Sequence, residues 1–129
     1  KFTCLSPEEG MATDEVNEIS TVLYTEYEEF KMLLTGDVTG EPERELLSGL
    51  EGKEALTVLK VAHHGSSAST SDEFLKAVDA EVLVLSTGDE GRAQRLSERA
   101  EGLPIYDTAH QGAVTIRIKD GGYTVTTTR

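Results

Sequence analysis

This chain has little of most things that mark a specialised class. A single cysteine, Cys4, excludes an internal disulfide. Tryptophan is missing and aromatics reach only 5%, so the 37% hydrophobic share must build one modest core mainly from Val, Leu and Ile. No apolar run approaches the roughly 18 to 20 residues of a membrane span. Basic residues number 12 against 24 acidic ones, a net charge of −12. Clustered Lys and Arg, the usual electrostatic footprint of nucleic-acid binding, are not evident, and direct nucleic-acid binding by so acidic a chain is not expected. The acid runs Pro7 to Glu29 and Glu41 to Glu54 read as solvated surface. There is no internal repeat and no low-complexity segment. Lys1-Phe2-Thr3-Cys4-Leu5 has neither an initiator Met nor the charged and apolar regions of a signal peptide. It reads as a strand entered mid-way, so residues 1–129 are expected to be a single partial domain of a longer protein. Cys4 is expected to be buried in that strand as a small hydrophobe.

What is present is an alternation of strands and helices. Strands are expected at 1–5, Ile19 to Tyr27 and Phe30 to Leu34, the last two joined by a tight turn at Glu28-Glu29. Ser6 to Asn17, polar and containing Pro7 and Gly10, reads as a loop. Glu41 to Leu50 places Leu46, Leu47 and Leu50 on one face, with Pro42 near the start, which suits an amphipathic helix. Strands at Ala55 to Val61 and Glu81 to Leu85 flank a helix capped by Ser71 and running through Val78. Asp89 to Ala100 reads as a charged helix with few core contacts. Leu103 to Tyr106 is a short strand, and Gly112 to Ile118 and Tyr123 to Thr127 form a closing hairpin around Asp120-Gly121-Gly122. The order predicts an α/β (α+β) domain, a mixed sheet with helices on one face.

Two of these strands break into metal-capable side chains beside a glycine. Leu33-Leu34-Thr35 ends in Gly36-Asp37, and Lys60-Val61-Ala62 ends in His63-His64-Gly65-Ser66. Gly36 permits a tight turn and a close approach of backbone or metal, and Gly65-Ser66-Ser67 lets its loop fold back over a site. Adjacent histidines on an extended chain point to opposite sides, so without a bend only one faces a given metal. His64, lying further past the strand, is taken as the ligand. His63 then orients substrate or packs behind it.

In this order the two motifs resemble the second half of a metallo-β-lactamase-fold hydrolase, and in particular the C-terminal hydrolase domain of ComEC-type DNA-uptake competence proteins. The likeness covers roughly residues 1–88 and 103–118. It implies half of an αβ/βα sandwich, with Asp37 bridging two divalent ions (Zn, Mn or Mg) and His64 completing one coordination sphere. Asp37 and His63 would take part in phosphodiester hydrolysis. Asn17 and Ser20 match a further family feature and, with Gly36, Gly65 and Ser66, would support the site from behind.

The likeness also implies a parent in the bacterial cytoplasmic membrane with this soluble domain on its outer face. DNA, a membrane channel domain and the N-terminal half of the fold would be the partners. Two departures stand out. The family's first ligand cluster, His-x-His-x-Asp-His, is nowhere in this chain, and Ser86-Thr87-Gly88 runs into Asp89-Glu90-Gly91-Arg92 without the family's Tyr-Gly-His-Pro. His110 does not match the missing histidine in spacing and reads as a surface loop residue. With about two ligands, residues 1–129 alone are expected to hold no metal and to be inactive. The competing expectations are a degenerate domain with a structural or interaction role, and a stand-alone secreted hydrolase of the same fold.

Overall fold

A computed structural model describes residues 1–10, 14 and 19–129. Six strands form one sheet in sequence order: β1 (Phe2–Ser6), β2 (Val22–Tyr27), β3 (Phe30–Leu34), β4 (Val58–Lys60), β5 (Val82–Leu85) and β6 (Ile105–Asp107). The β1-β2 and β2-β3 pairs are antiparallel, and β3 through β6 are parallel. Each parallel step is made by a helix: α1 (Gly40–Leu50), α2 (Asp72–Val78) and α3 (Glu90–Arg99). Successive crossovers of the same hand between neighbouring parallel strands put every helix on the same side.

The packing shows the result. Leu33, Leu59 and Leu83 line one sheet face and pack with Leu46 of α1, Phe74 and Val78 of α2, and Ala93 and Leu96 of α3. Period-two alternation sends the intervening side chains to the other face. There Phe30, Val58 and Val82 are covered by a separate hairpin, β7 (Val114–Lys119) and β8 (Gly122–Thr127), through Ile116, Ile118 and Tyr123. The hairpin turns at Asp120 and Gly121, both at positive φ (54° and 76°), as a two-residue turn matched to strand twist requires.

The mixed sheet with helices on one face is therefore what the structure contains, with several differences of detail. Strand β4 keeps only three of the seven residues expected. Before it, Leu56 and Thr57 are instead tied by backbone bonds to Val78 and Lys31. Helix α3 makes more core contact than its charge suggested, burying Ala93, Leu96 and the following Ala100. A short helix that the sequence did not announce, α4 (Thr108–Gln111), follows β6 and is capped by Asp107. Cys4 is exposed, not buried. It pairs with Leu23 on the edge strand, on the face that the helices do not cover.

Candidate functional site at the carboxyl edge of the sheet

Four parallel strands ending at one edge deliver four loops to the same place, the usual position of a site in an α/β sheet. β3 delivers Gly36 and Asp37, β4 delivers His63 and His64, β5 delivers Ser86 and Thr87, and β6 delivers Asp107 and Thr108.

The first loop is made by Gly36. Its φ is +54°, and a Cβ there would lie 3.0 Å from the Thr21 carbonyl oxygen and 3.3 Å from Ser20 Cβ. Only glycine allows so close a turn. Asp37 follows, and its backbone N–H donates to Ser20 Oγ at 3.3 Å. Ser20 thus holds the Asp37 backbone. Asn17 lies outside the described residues. Buried Thr35 donates its hydroxyl to the Lys60 carbonyl, tying the end of β3 to the end of β4.

The second loop supplies the bend that two adjacent histidines need. Ala62–Gly65 forms a 3-10 turn in which His63, His64 and Gly65 all have positive φ (47°, 52° and 75°). Histidine tolerates this region better than most side chains, but consecutive left-handed residues are costly unless the surroundings hold them. Here they do. His63 N–H donates to Gly36 O at 3.0 Å, and Ser66 N–H to His63 O at 2.9 Å. Arg92 from α3 donates through Nη1 to His64 O at 3.0 Å. Gly65 is pressed against Leu85, whose Cδ1 would meet a Cβ at 3.0 Å. Ser66 shapes the loop as well, accepting the Ala68 N–H through its hydroxyl at 3.3 Å.

Asp37 and His64 meet across the two loops, with Oδ1 and Nε2 3.5 Å apart. The other imidazole nitrogen, Nδ1, lies 2.8 Å from Ser86 O. A carbonyl can only accept, so Nδ1 carries the proton, and in the neutral ring Nε2 presents its lone pair towards Asp37. Two acceptors facing each other at this distance are reconciled by a proton or by a cation between them. Both side chains are open to solvent, at 39% and 51% exposure, so an ion or substrate reaches them freely. His63 is not part of this contact. Its Nδ1 is buried and has no hydrogen-bond partner among the described residues, a state that costs about 1–3 kcal/mol.

Sequence reasoning missed two other groups. Lys60 ends β4 with its Nζ 3.5 Å from Gly36 O. Burial pushes its ammonium below the usual lysine range, and the nearby Asp37 carboxylate partly opposes that shift. His110 sits in α4 and not in a loop. Its Nδ1 contacts the largely buried Asp107 carboxylate at 2.9 Å, and Nε2 is 3.8 Å from Glu90. Asp107-x-x-His110 within one short turn was the available signal.

The donors fit a divalent ion in kind: a hard carboxylate oxygen and an imidazole nitrogen whose other nitrogen is fixed by a backbone carbonyl. In number they fall short. Among the described residues no group of three or more His, Cys, Asp or Glu is arranged to hold a metal, whereas a catalytic zinc normally has three protein ligands.

No family model matches the chain. Among curated proteins it is 32% identical over 127 residues to competence protein ComA of Neisseria gonorrhoeae, an alignment spanning 94% of this chain and 18% of that protein. It is 29% identical over 126 residues to ComE operon protein 3 of Bacillus subtilis (93% and 16%). With Recombination protein 2 of Haemophilus influenzae it shares 36% over 87 residues (67% and 10%). These relatives support a competence-related family. The chain spans less than a fifth of the length of each.

Proposed function

We propose that this chain forms part of a metal-dependent phosphodiesterase domain in a DNA-uptake competence protein. The observation that carries the reading is the Asp37–His64 contact at 3.5 Å, with His64 Nδ1 locked on Ser86 O and Nε2 left facing the carboxylate. The relatives' names support the competence role. The metallo-hydrolase role, and the αβ/βα sandwich in which this sheet would be one half, rest on the two motifs and this geometry. Asp37 and His64 would hold a divalent ion, which when bound lowers the pKa of water and offsets charge on phosphate. The chain's own residues fix the two loops, set the His64 tautomer and keep Lys60 beside Asp37. Further ligands come from the rest of a longer parent, whose membrane anchorage and channel are part of the same proposal. Among the described residues no helix is long and apolar enough to cross a membrane.

The test is hydrolysis of DNA by the longer protein with Mn²⁺, Mg²⁺ or Zn²⁺. Asp37→Ala and His64→Ala are expected to abolish activity, while residues 1–129 alone show none. A parent that cuts DNA equally well with Ala at position 37 removes the metal role of this edge. A parent inactive with every metal leaves the domain a structural one.

A further inference from the structure

The loop that carries His63 and His64 also forms one wall of a cavity of about 160 Å³, whose other wall is α3. In a chain of net charge −12, no acidic residue is among its lining. Arg95, Arg99, Ser66, Ser67, Gly65 and Leu96 line it. The arginines follow from helix geometry: Arg92, Arg95 and Arg99 fall within about 60° of one another around a helix of 3.6 residues per turn, beside the arc that buries Leu96. Two of the three are committed. Arg92 holds the His64 carbonyl and approaches Asp89, and Arg99 pairs with Asp72 at 2.9 Å and donates to the Thr70 carbonyl.

Arg95 makes no ion pair or hydrogen bond among the described residues and is exposed. Its Nη1 lies beside Gly91, 3.3 Å from where a Cβ would stand, and Asp89 Oδ1 is 3.1 Å from the same point. On the facing wall, Ser69 Oγ is spent on the Ala62 and Ser66 carbonyls, and Thr70 Oγ1 on the Ala62 N–H. Ser67 is exposed, and its hydroxyl has no partner among the described residues. Ser66 Oγ accepts from Ala68 N–H but keeps its own proton to donate. An arginine without a salt-bridge partner among the described residues, lining one cavity with two serines and no acidic residue, is the chemistry of an oxyanion site.

We infer that this cavity binds one phosphate of a nucleic-acid strand, with Arg95 as its charge and the Ser66 and Ser67 hydroxyls as neutral donors, a local exception to the expectation from the net charge of −12 that the chain does not bind nucleic acid directly. That the phosphate belongs to a phosphodiester strand rests on the function proposed above; the anion site itself does not. The cavity and the Asp37–His64 pair share the 63–67 loop, so a strand held by one phosphate here passes beside the metal-capable edge.

The experiment is a titration of the 129-residue chain, followed by backbone amide NMR, with a short oligothymidine in one arm and inorganic phosphate in another. The oligonucleotide is expected to shift amides of residues 65–70 and 91–99. Arg95→Ala is expected to weaken binding several-fold and to lower the slope of log affinity against log salt by about 0.7 to 1. Arg95→Lys restores part of the affinity. Because Arg95 is exposed and unpaired, the alanine variant keeps the fold, which its unshifted spectrum verifies. Equal affinity and salt slope in Arg95→Ala, or shifts confined to other residues, overturn the inference. Shifts with phosphate but none with oligothymidine overturn the strand and leave a small-anion site. If Arg95→Ala binds normally while the longer protein still hydrolyses DNA, the inference fails alone. If Arg95→Ala loses binding but no metal supports hydrolysis, the proposed reaction fails and the phosphate site stands.

Discussion

Gly36 does at one position what no other residue type can. Its positive φ turns the chain out of β3, and its missing side chain lets Thr21 and Ser20 close against it, which seats the Asp37 N–H on Ser20 Oγ. Gly36→Ala is expected to lower unfolding stability by about 1–3 kcal/mol, the scale of a strained backbone residue, measured as a shift in the urea midpoint. A midpoint within error of wild type would mean that the turn relaxes without displacing Asp37. At the same scale, the Gly36-Asp37 and His63-His64 motifs were legible in the sequence because glycine beside a metal-capable side chain after an apolar run is a local signal. Position past the strand favoured His64 over His63, but the contact with Asp37 was not itself legible. That depends on two consecutive left-handed residues and on a carbonyl from β5, neither of which spacing reveals.

Among the elements, α1 and α2 are joined by a contact that hydrophobic periodicity overlooks. Glu43 on α1 is buried at 4% exposure, and its carboxylate accepts the backbone N–H groups of Thr70 and Ser71 at the start of α2. The helical pattern identified Leu46 correctly but gave no reason to bury a glutamate, since its partners are backbone amides 27 and 28 residues away. Glu43→Ala leaves the buried Thr70 N–H and the part-buried Ser71 N–H without their acceptor; a buried donor left unpaired costs about 1–3 kcal/mol, so denaturant titration is expected to show a loss of about 1–3 kcal/mol. Glu43→Gln keeps one acceptor oxygen and should lose less. If alanine costs no more than a surface substitution, water has replaced the carboxylate and the ends of α1 and α2 are coupled only through their apolar contacts. Helix α3 shows the opposite imbalance. Its charge pattern suggested a solvated rod, yet Ala93 and Leu96 reach the core because small and branched residues at that spacing suffice once the sheet lies beneath them.

For the whole molecule, the two sheet faces are closed by different means, three helices on one and a single hairpin on the other. Tyr123 ties the hairpin down. Its ring meets Phe30 edge-on at 5.8 Å between centroids, and its hydroxyl donates to Glu81 at 3.1 Å. Tyr123→Ala is expected to cost about 1–3 kcal/mol, below the ~3–5 kcal/mol of a fully buried aromatic because the ring is half-buried; thermal unfolding checks it. Burial, followed by the Glu81 hydrogen bond, raises the Tyr123 phenol above its usual range. A raised folded-state pKa means that the neutral phenol's stabilisation is complete below the unfolded value near 10 and is lost as pH rises through the folded one. Tyr123→Phe should therefore lose the hydrogen bond at neutral pH but show a shallower alkaline decline than wild type. Parallel stability–pH curves for the two would rule out that linkage. Beyond the hairpin, the same face leaves Phe2 at 73% and Tyr27 at 57% exposure. That exposure is why Cys4, read from the sequence as buried, lies in the open.

By itself the sequence determined the α/β class, the order of the strands and of α1 to α3, the Ser71 cap and the two loops that carry Asp37 and His64. Each of these is a local property: period-two or 3.6-residue alternation, a capping hydroxyl, a glycine after an apolar run. The tertiary structure alone decided which side chains share a place. Asp37 and His64 lie 27 positions apart and meet because parallel pairing aligns Leu34 with Lys60 and so brings the ends of β3 and β4 to one edge. Glu43 reaches Thr70, and Arg95 lines one cavity with Ser67, for the same reason: crossovers of one hand stack the helices on one side of a sheet built in sequence order. Net charge follows the same division. The total of −12 is a property of composition, but whether arginines converge on a cavity without carboxylates depends on the face of α3 that the core leaves beside the histidine loop.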